Sequence, residues 1–366
     1  MRLIIFTLFF LVSVSSARAL HCSTLPQKQL DEALQLIEAK SIYVDASHHV
    51  PKERLCNRLA TYSPEDVLRT FLSRLDPYAH YLEKRVFEAY RESLENRYGG
   101  VGILLVQHKR GAPIFCIPLS AEAKRAGIGM DDRLLSVNGT PVRGVNFYMV
   151  SSWIRGKTGT KVVLEVTDST GKRKKVLLKR TMQHFHTVEK TEIQGFEAIK
   201  IKMFGTQTAQ ELYEVLKAFP RELPIVIDLR GNGGGDFKEA IAGADLFLPK
   251  GTFVAALQKR QAKETFYAQS GDRFPGRRVV LLQDRHTASA AEVFIAALTQ
   301  NGRAESVGKR SYGKGVAQRF YTLSNGDVIL LTYAGIVTPE GIDYDGIGLL
   351  PSSGFTLKEL LLDEIE

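Results

Sequence analysis

The sequence predicts a multidomain protein of mixed α+β and α/β class, with a helical region, a β-rich domain and an α/β core in that order. Residues 20–96 repeat apolar side chains at helical spacing, residues 97–180 carry short apolar runs between glycine turns, and residues 181–366 alternate strand-like and helical segments. A length of 366 residues suits two or three domains, and 44% hydrophobic with 24% charged residues is ordinary for a soluble globular protein.

Residues 1–19 predict a secretory signal peptide. Met1-Arg2 gives a positive start, the run from Leu3 to Val14 is mostly apolar, and Ala17-Arg18-Ala19 supplies small residues around a cleavage site. The apolar run is too short to span a bilayer, and no later stretch is long enough. We therefore expect an exported protein, periplasmic or otherwise extracytoplasmic, without a transmembrane segment.

The cysteines predict a disulfide and no metal centre. Export permits a disulfide, and Cys22 with Cys56 is the plausible pair because both lie in the N-terminal region. Cys116 lies in an apolar, strand-like run and is expected to be a buried thiol. No CxxC occurs, and His184 with His186 lacks a third ligand, so the sequence predicts no metal and no other cofactor.

The formal net charge of +9 does not predict binding of nucleic acid. Basic residues are scattered, apart from a patch at Lys172–Lys175 that is typical of a solvated hairpin tip. Aromatic residues do not alternate with the basic ones, and the chain is expected to be exported, so the sequence predicts no nucleic-acid partner. Weak attraction to acidic surfaces is the remaining implication of the charge.

The helical region begins the folded part of the chain. Apolar residues from Leu30 to Ile37 form a helical stripe. Ser63-Pro64-Glu65 has an N-cap residue followed by residues that are favoured in the first turn, so it predicts the start of a helix. The segment "EKRVFEAYRESLENRY" predicts a third helix. We expect this region to pack against the rest of the chain or to form a homodimer interface.

The β-rich domain begins after a glycine cluster. Its predicted order is strand, strand, short helix, strand with an Asn138-Gly139 turn, helix, strand. This order, with "AEAKRAGIGMDDRLLSVNG", resembles a PDZ domain, which binds the C-terminus of another chain by adding a strand to a sheet edge. The resemblance implies a carboxylate-binding loop at Tyr98–Gly102 and a receiving strand at Ile103–Val106. The implied tail-binding residues are Tyr98, Gly99, Gly100, Val101, Gly102, Ile103 and Leu104.

The α/β core contains a glycine-rich turn. The segment "VIDLRGNGGGDFKEA" predicts a buried strand, a turn and a helix. A tight turn needs one glycine, whereas Gly233, Gly234 and Gly235 together free the backbone N–H groups to bind an anion near the helix start. A phosphate would fit such a turn, but the lysine and the Ser or Thr of a P-loop are missing.

A lysine and a serine follow this turn. Lys314 lies between two glycines, as a loop-tip charge often does, but Tyr312, Val316 and Phe320 lie close by in the sequence. Apolar neighbours favour the neutral amine, which can act as a base. Ser289 precedes an apolar helix, and Ser289-Ala290-Ala291-Glu292 fits a capping box. Ser289 is therefore either a helix cap or a nucleophile whose developing charge the helix start favours.

The segments "DLRGNGGG", "ASAAE" and "GKGVAQ", in this order, resemble the C-terminal processing (tail-specific) peptidases of family S41. These are Ser–Lys proteases that carry a PDZ domain on a crotonase-like α/β peptidase core. The resemblance runs from "LDPYAHYL" to "LTYAGIVTPEGIDYDGIGLLP". It implies that Ser289 is the nucleophile, Lys314 the general base and Gln318 the residue that orients the amine. It also implies an oxyanion hole at the N–H groups of Gly235 and Ala290.

The sequence departs from the family pattern without removing a named catalytic group, at "LLP" near the C-terminus and at His286, Thr287, Ala291, Ala317 and Gly335. They leave room for altered specificity or weakened activity. His286 is a rival base for Ser289, but a histidine near a turn is more often a loop residue, and the sequence shows no acid partner to orient it.

The sequence therefore predicts an exported serine endopeptidase that recognises the C-termini of protein substrates and cleaves them through an acyl-enzyme. One alternative is a non-enzymatic PDZ adaptor with a degenerate peptidase core, against which the intact Ser289–Lys314 pair argues. The other is an acyl-CoA enzyme of crotonase type, against which the signal peptide and the PDZ-like domain argue.

Overall fold

A computed structural model describes residues 25–44, 50–94, 98–107, 112–183 and 186–362. The predicted signal peptide, Cys22 and His184 lie outside these residues. None of the helices in these ranges combines the length and the apolar composition that a membrane span requires. Cys56 is disulfide-bonded. Cys116 is a free, fully buried thiol, and burial raises its pKa to about 12.

The N-terminal region is mainly helical. Its elements are α1 (Leu25–Lys40), α2 (Lys52–Arg58), α3 (Pro64–Leu75), strand β1 (His80–Leu82) and α4 (Lys84–Leu94). The predicted start of α3 is confirmed, because Ser63 Oγ accepts a hydrogen bond from Asp66 N at 3.2 Å. Strand β1 was not predicted, and it pairs with the last strand of the core rather than with its own region.

The β-rich domain follows and has its own apolar core around α6 and β7. Its elements are β2 (Tyr98–Gly100), β3 (Ile103–Gln107), β4 (Ile114–Pro118), α5 (Ala121–Arg125), β5 (Asp132–Val137), β6 (Thr140–Pro141), α6 (Phe147–Ile154), β7 (Lys161–Thr167), β8 (Arg173–Lys179) and β9 (Thr181–Gln183). Strands β3-β4-β5-β7-β8 form one sheet with β6 beside β5, and β2 pairs with β9 separately. The predicted Asn138-Gly139 turn joins β5 to β6, with both residues at positive φ.

The α/β core has two sheets. Its elements are β10 (Val188–Ile193), β11 (Phe196–Ile201), α7 (Thr208–Lys217), β12 (Ile225–Asp228), α8 (Phe237–Asp245), β13 (Phe253–Gln258), β14 (Lys263–Tyr267), β15 (Val279–Gln283), α9 (Ala290–Thr299), β16 (Glu305–Gly308), β17 (Val316–Thr322), β18 (Val328–Val337) and α10 (Leu357–Leu362). One sheet has the order β10-β11-β12-β15-β16, and the other joins β1, β18, β13 and β14, with β17 also on β18.

The first core sheet determines where the site lies. Strands β11, β12, β15 and β16 are parallel, so their carboxyl ends meet at one edge. The glycine-rich turn follows β12 and the Ser289 segment follows β15. Because ligands of open parallel sheets bind outside the carboxyl ends of the strands, this edge is the natural place for chemistry. Every residue from Ala290 to Leu298 of α9 is buried, since this helix packs inside the core.

Candidate active site

Ser289 stands immediately before α9 in an unusual backbone conformation. Its φ is 54° and its ψ is −119°. A residue with a β-carbon pays about 1–3 kcal/mol for such a conformation, which persists only where the surroundings enforce it. Strain of this kind concentrates at active sites, as in the sharp strand-to-helix turns that expose nucleophilic serines.

The glycine-rich turn after β12 lies directly against Ser289. A β-carbon on Gly234 would come within 2.8 Å of the Ser289 β-carbon and 2.9 Å of Ala290 N. A β-carbon on Gly235 would come within 2.0 Å of Phe204 O. Both positions also have positive φ, at 96° and 136°. Glycine is therefore required at both positions, because neighbouring backbone atoms leave no room for a β-carbon and because φ is positive.

Two backbone N–H groups at this junction have no protein acceptor. Within the described residues, neither Gly235 N nor Ala290 N donates a hydrogen bond. The flanking groups are occupied: Gly234 N donates to Asn232 Oδ1 at 2.9 Å, and Asp236 N donates to Phe204 O at 2.7 Å. The two unoccupied donors are the ones predicted from the sequence to form the oxyanion hole.

Glu292 links the start of α9 to the lysine loop. Its side chain is fully buried, and its carboxylate accepts four hydrogen bonds. The donors are Ser289 N at 2.8 Å, Ser311 Oγ at 2.6 Å, Gly313 N at 2.7 Å and Lys314 N at 2.8 Å. Ser289 N and Lys314 N bind the same oxygen, so the two backbone nitrogens lie within two hydrogen-bond lengths of each other.

The pKa of Glu292 reflects the same environment. Burial raises the pKa of this carboxyl group above its usual value, and the hydrogen bonds it accepts oppose the rise without cancelling it. From the sequence, Glu292 was expected only to complete a capping box. A signal for its wider role does exist, because an acidic residue in an otherwise apolar helix must find partners inside the fold.

Lys314 holds its amine inside the site. Its Nζ donates to Gln318 Oε1 at 2.7 Å, and Gln318 Nε2 donates to Tyr78 O at 2.8 Å. The amine also lies 5.5 Å from the centre of the Tyr78 ring. Burial lowers the pKa of Lys314, and the carboxylates of Asp76, Asp345 and Glu292 only partly oppose this effect.

Two further carboxylates support the segment that carries Tyr78. Asp76 is fully buried and accepts from Tyr78 N at 2.8 Å and Thr332 N at 3.0 Å, while burial raises its pKa. Asp345 Oδ1 accepts from Gly315 N at 2.9 Å and from the Tyr78 hydroxyl at 3.1 Å. The N-terminal region thus contributes directly to the environment of the lysine.

The backbones of Ser289 and Lys314 lie close together, but their side chains are not hydrogen-bonded to each other. Within the described residues, no hydrogen bond joins the Ser289 hydroxyl to the Lys314 amine, which is held on Gln318 instead. Both residues nevertheless donate a backbone N–H to the same Glu292 oxygen, which holds the two segments side by side.

His286 contacts the β-rich domain. Its side chain is buried, its Nε2 is hydrogen-bonded to the carboxylate of Asp131, and its ring lies 5.6 Å from that of Phe115. Arg285 also pairs with Asp131, at 2.8 Å. The expectation that His286 has no acid partner was therefore wrong. Asp131 lies 155 positions away in the chain, so neighbouring residues gave no sign of the pair.

The predicted tail-binding segment differs in part from its expected form. Tyr98–Gly100 is not a loop but the strand β2, paired with β9, so the connection to β3 is only Val101-Gly102. Strand β3 pairs with β4 alone and leaves its other edge open in the described structure. Gly102 has a φ of 67°, and its carbonyl accepts from Leu119 N at 2.8 Å.

Comparison with known proteins places the chain in a family. Peptidase family S41 matches residues 196–353. The carboxy-terminal processing protease CtpA of Bacillus subtilis is 31% identical over 271 residues, which are 73% of this chain and 58% of the relative. A probable CtpA-like serine protease of Staphylococcus aureus is 33% identical over 282 residues, which are 75% of this chain and 56% of the relative.

The chain belongs to peptidase family S41. It spans more than half, but less than two thirds, of the length of these curated relatives. A solved structure, the photosystem II D1 C-terminal processing protease, matches with a TM-score of 0.75 over 90% of this chain and 92% of that one. Its sequence is 24% identical, so this likeness concerns the fold.

In this S41 chain, the predicted site residues fall into two groups. The structure places Gly234, the neighbour of Gly235, against Ser289 and Ala290 at the end of the parallel sheet, and Glu292 attaches the loop of Lys314 to Ser289. Gln318 lies on the lysine amine. The predicted tail-binding segment belongs to the separate β-rich domain. No group of three or more His, Cys, Asp or Glu residues in the described ranges is placed to hold a metal ion.

Proposed function

We propose that this S41 chain is an exported serine endopeptidase that cleaves protein substrates selected by their C-termini. One observation carries the proposal: Glu292 holds the backbones of Ser289 and Lys314 on a single carboxylate oxygen, beside two unoccupied N–H groups. Family membership and the names of the relatives, which are serine or C-terminal processing proteases, support the same reaction class.

In the proposed reaction, the Ser289 hydroxyl attacks the carbonyl carbon of the substrate peptide bond. The neutral Lys314 amine takes the hydroxyl proton, and Gln318 keeps that amine in position. The N–H groups of Gly235 and Ala290 hold the negative charge on the carbonyl oxygen, and each such donor contributes roughly 3 kcal/mol in comparable sites. Lys314 then protonates the leaving amine, which leaves an acyl ester on Ser289.

Hydrolysis of the acyl ester follows the same steps, with water in place of the Ser289 hydroxyl as the attacking group. The neutral Lys314 amine removes a proton from water, which attacks the ester carbonyl, and Ser289 regains its proton. The lowered pKa of Lys314 suits both steps, because it increases the fraction of neutral amine near neutral pH. Ordinary lysine, with a pKa near ~10.4, is almost entirely protonated there.

The remaining parts of the proposal concern organisation. The β-rich domain is proposed to act as a PDZ-like module that binds substrate tails along the open edge of β3. The α/β core is proposed to be of crotonase type. The proposed ranges are 20–96 for the N-terminal region, 97–180 for the PDZ-like domain and 181–366 for the peptidase core, after the signal peptide at 1–19. Export to the periplasm or another extracytoplasmic space belongs to the same proposal.

The decisive experiment compares the mature wild type with Ser289→Ala and Lys314→Ala on an unfolded protein that carries an apolar C-terminal tail. Mass spectrometry should show cleavage by the wild type and none by either variant, while circular dichroism shows that all three remain folded. Equal cleavage by the wild type and Lys314→Ala would refute the base assignment, and cleavage by Ser289→Ala would refute the mechanism. Tail binding without any cleavage by the wild type would favour the adaptor, and turnover of an acyl-CoA would favour the crotonase-type enzyme.

A further inference from the structure

A cavity of about 310 Å³ opens beside the lysine loop, on the side formed by strands β13, β17 and β18. Gly315, the residue after Lys314, forms part of its wall. The position of this wall is fixed, because Gly315 N donates to Asp345 Oδ1 at 2.9 Å and Gly315 O accepts from Ile336 N at 2.7 Å. The cavity therefore shares a wall with the loop that carries the proposed base. Its lining residues are Gln258, Gly315, Val316, Gly335, Ile336, Val337, Gly341, Ile342, Asp343 and Asp345.

Gly335 keeps this cavity open. It lies on β18, paired with Val316 of β17 on one side and with Gln258 of β13 on the other. Its φ lies outside the left-handed region, so the backbone does not require glycine. A β-carbon added there would meet no atom within 4 Å, so a side chain at this position would enter free space. The effect of glycine here is thus to leave a volume empty.

The lining combines apolar walls with negative charge. Val316, Ile336, Val337 and Ile342 supply the apolar surface, and Asp343 and Asp345 supply two carboxylates. No lysine, arginine or histidine lines the cavity, and within the described residues neither Asp343 nor Asp345 forms an ion pair, although Asp345 acts electrostatically on the Lys314 amine. Asp345 Oδ1 already accepts from Gly315 N and from the Tyr78 hydroxyl, whereas Asp343 is exposed to solvent and accepts one hydrogen bond, from Asp345 N at 3.1 Å. A local negative charge stands out on a protein with a formal net charge of +9.

These properties match one class of side chain. A lysine or arginine has a long apolar stem and a charged tip, so its stem can lie along apolar walls while the tip approaches a carboxylate. We propose that the cavity is a subsite for a lysine or arginine side chain of the substrate, close to the bond that is cleaved. The inference rests on the proposed peptidase function and adds a substrate preference to it. The cavity is called the acidic subsite below.

Binding to an inactive enzyme tests the acidic subsite without requiring catalysis. Ser289→Ala is titrated with peptides that share one C-terminal tail and carry lysine, norleucine or glutamate at each position in turn, and affinity is followed by fluorescence anisotropy. Norleucine is the control because it keeps the stem and removes the charge. At one position, lysine should bind about two- to fivefold tighter than norleucine, as expected for a partly exposed charge pair, and glutamate should bind most weakly. Added salt should reduce the lysine preference.

Three double variants connect this preference to the cavity. Asp343→Asn removes a charge and Gly335→Phe fills the space, so each should reduce the lysine-to-norleucine ratio to about one when combined with Ser289→Ala. Gly354→Phe is the matched control: its φ lies outside the left-handed region, its added β-carbon meets no atom within 4 Å, and it does not line the cavity. It should leave the ratio unchanged. A ratio near one in Ser289→Ala alone, or one that Gly335→Phe and Asp343→Asn leave unchanged, would overturn the inference.

Cleavage of a mixed peptide library distinguishes this inference from the proposed function. Wild type should cleave with lysine and arginine enriched at one position near the cut, Gly354→Phe should keep the enrichment, and Asp343→Asn and Gly335→Phe should lose it. Cleavage that depends on Ser289 but shows no basic enrichment would reject the acidic subsite and leave the peptidase intact. Absence of any cleavage by the wild type would reject both.

Discussion

Glu292 and Asp131 each bring a carboxylate to the segment around Ser289, but they connect different parts of the molecule. Glu292 is fully buried and takes all four of its hydrogen bonds from the α/β core. The Asp131 side chain is 31% exposed and takes its partners, Arg285 and His286, from across the boundary between the β-rich domain and the core. A buried carboxylate within one domain fixes geometry, whereas a partly exposed one between two domains can be released when they move apart.

Glu292→Ala should have the largest effect and would test the first half of this comparison. The substitution leaves buried donors on Gly313 and Lys314 without an acceptor, so we expect the free energy of unfolding to fall by about 3 kcal/mol or more and cleavage to be lost. Denaturant unfolding and peptide cleavage measure the two effects. Asp131→Ala is the comparison, and an equal loss of stability in both variants would contradict the distinction drawn here.

Gly234→Ala should have the next largest effect and tests how rigidly the core holds Ser289. The new methyl group would meet Ala288 O, Ser289 Cβ and Ala290 N at 2.7–2.9 Å, in a backbone with φ of 96°. Displacement of a nucleophile by such a contact typically costs about a hundredfold in rate. Gly233→Ala is the control, because its β-carbon would meet only Val106 Cγ2, at 3.9 Å, and kcat/KM should stay close to wild type. Similar values for both variants would show that the turn tolerates side chains.

The pH dependence of kcat/KM sharpens the comparison further. Lys314 must be neutral to act as a base, so the rate should rise with pH and reach half its maximum at the lowered pKa of Lys314, below the ~10.4 of free lysine. Lys314→Arg should be inactive at every pH, because a guanidinium does not lose its proton in proteins.

The carboxylates that act on Lys314 are those of Asp76, Asp345 and Glu292, and Asp131 is not among them. Asp131→Asn should therefore leave the midpoint of the pH profile where it is in the wild type. A midpoint that moves in this variant would show that the contact between the domains acts on the base.

His286→Ala should have the smallest effect. It removes a hydrogen bond with Asp131 and no proposed catalytic group, so kcat/KM should change by less than about threefold, within the net effect of a single hydrogen bond. Steady-state cleavage of a tail-bearing peptide measures this. A thousandfold loss of kcat/KM would instead indicate that His286 takes part in proton transfer.

The course of the chain through the core was largely predictable from sequence. The alternation of strands and helices predicted for residues 181–366 is present, and the segments predicted around the glycine-rich turn and after Ser289 correspond to β12, α8 and α9, because buried elements have clear apolar patterns. Short or partly exposed elements such as β1, β14 and β16 were not predicted, since three to five residues carry little periodicity. Strand β1 exists because β18 supplies its partner, not because of its own sequence.

In the candidate site, too, local features were predictable from sequence and long-range contacts were not. Ser289, Lys314 and Gln318 could be proposed from short motifs, because each motif is local. Glu292 appeared only as a capping residue, since its bonds to the lysine loop join positions about twenty residues apart. The contact of Tyr78 with Gln318 spans 240 positions, and that of Asp131 with His286 spans 155. Such contacts are set by the packing of distant segments, which periodicity and spacing do not record.

The pairing of β2 with β9 bears on how the chain is assembled. These two antiparallel strands bring residues 98–100 beside residues 181–183, so the chain enters and leaves the β-rich domain at one point. The segments before β2 and after β9 contact each other, because β1 pairs with β18 and Gln318 donates a hydrogen bond to the carbonyl of Tyr78. The β-rich domain is thus an inserted domain, and the segments that precede and follow it pack together. Replacing residues 101–180 with a tight Asn-Gly turn should therefore yield a shorter chain whose core still folds.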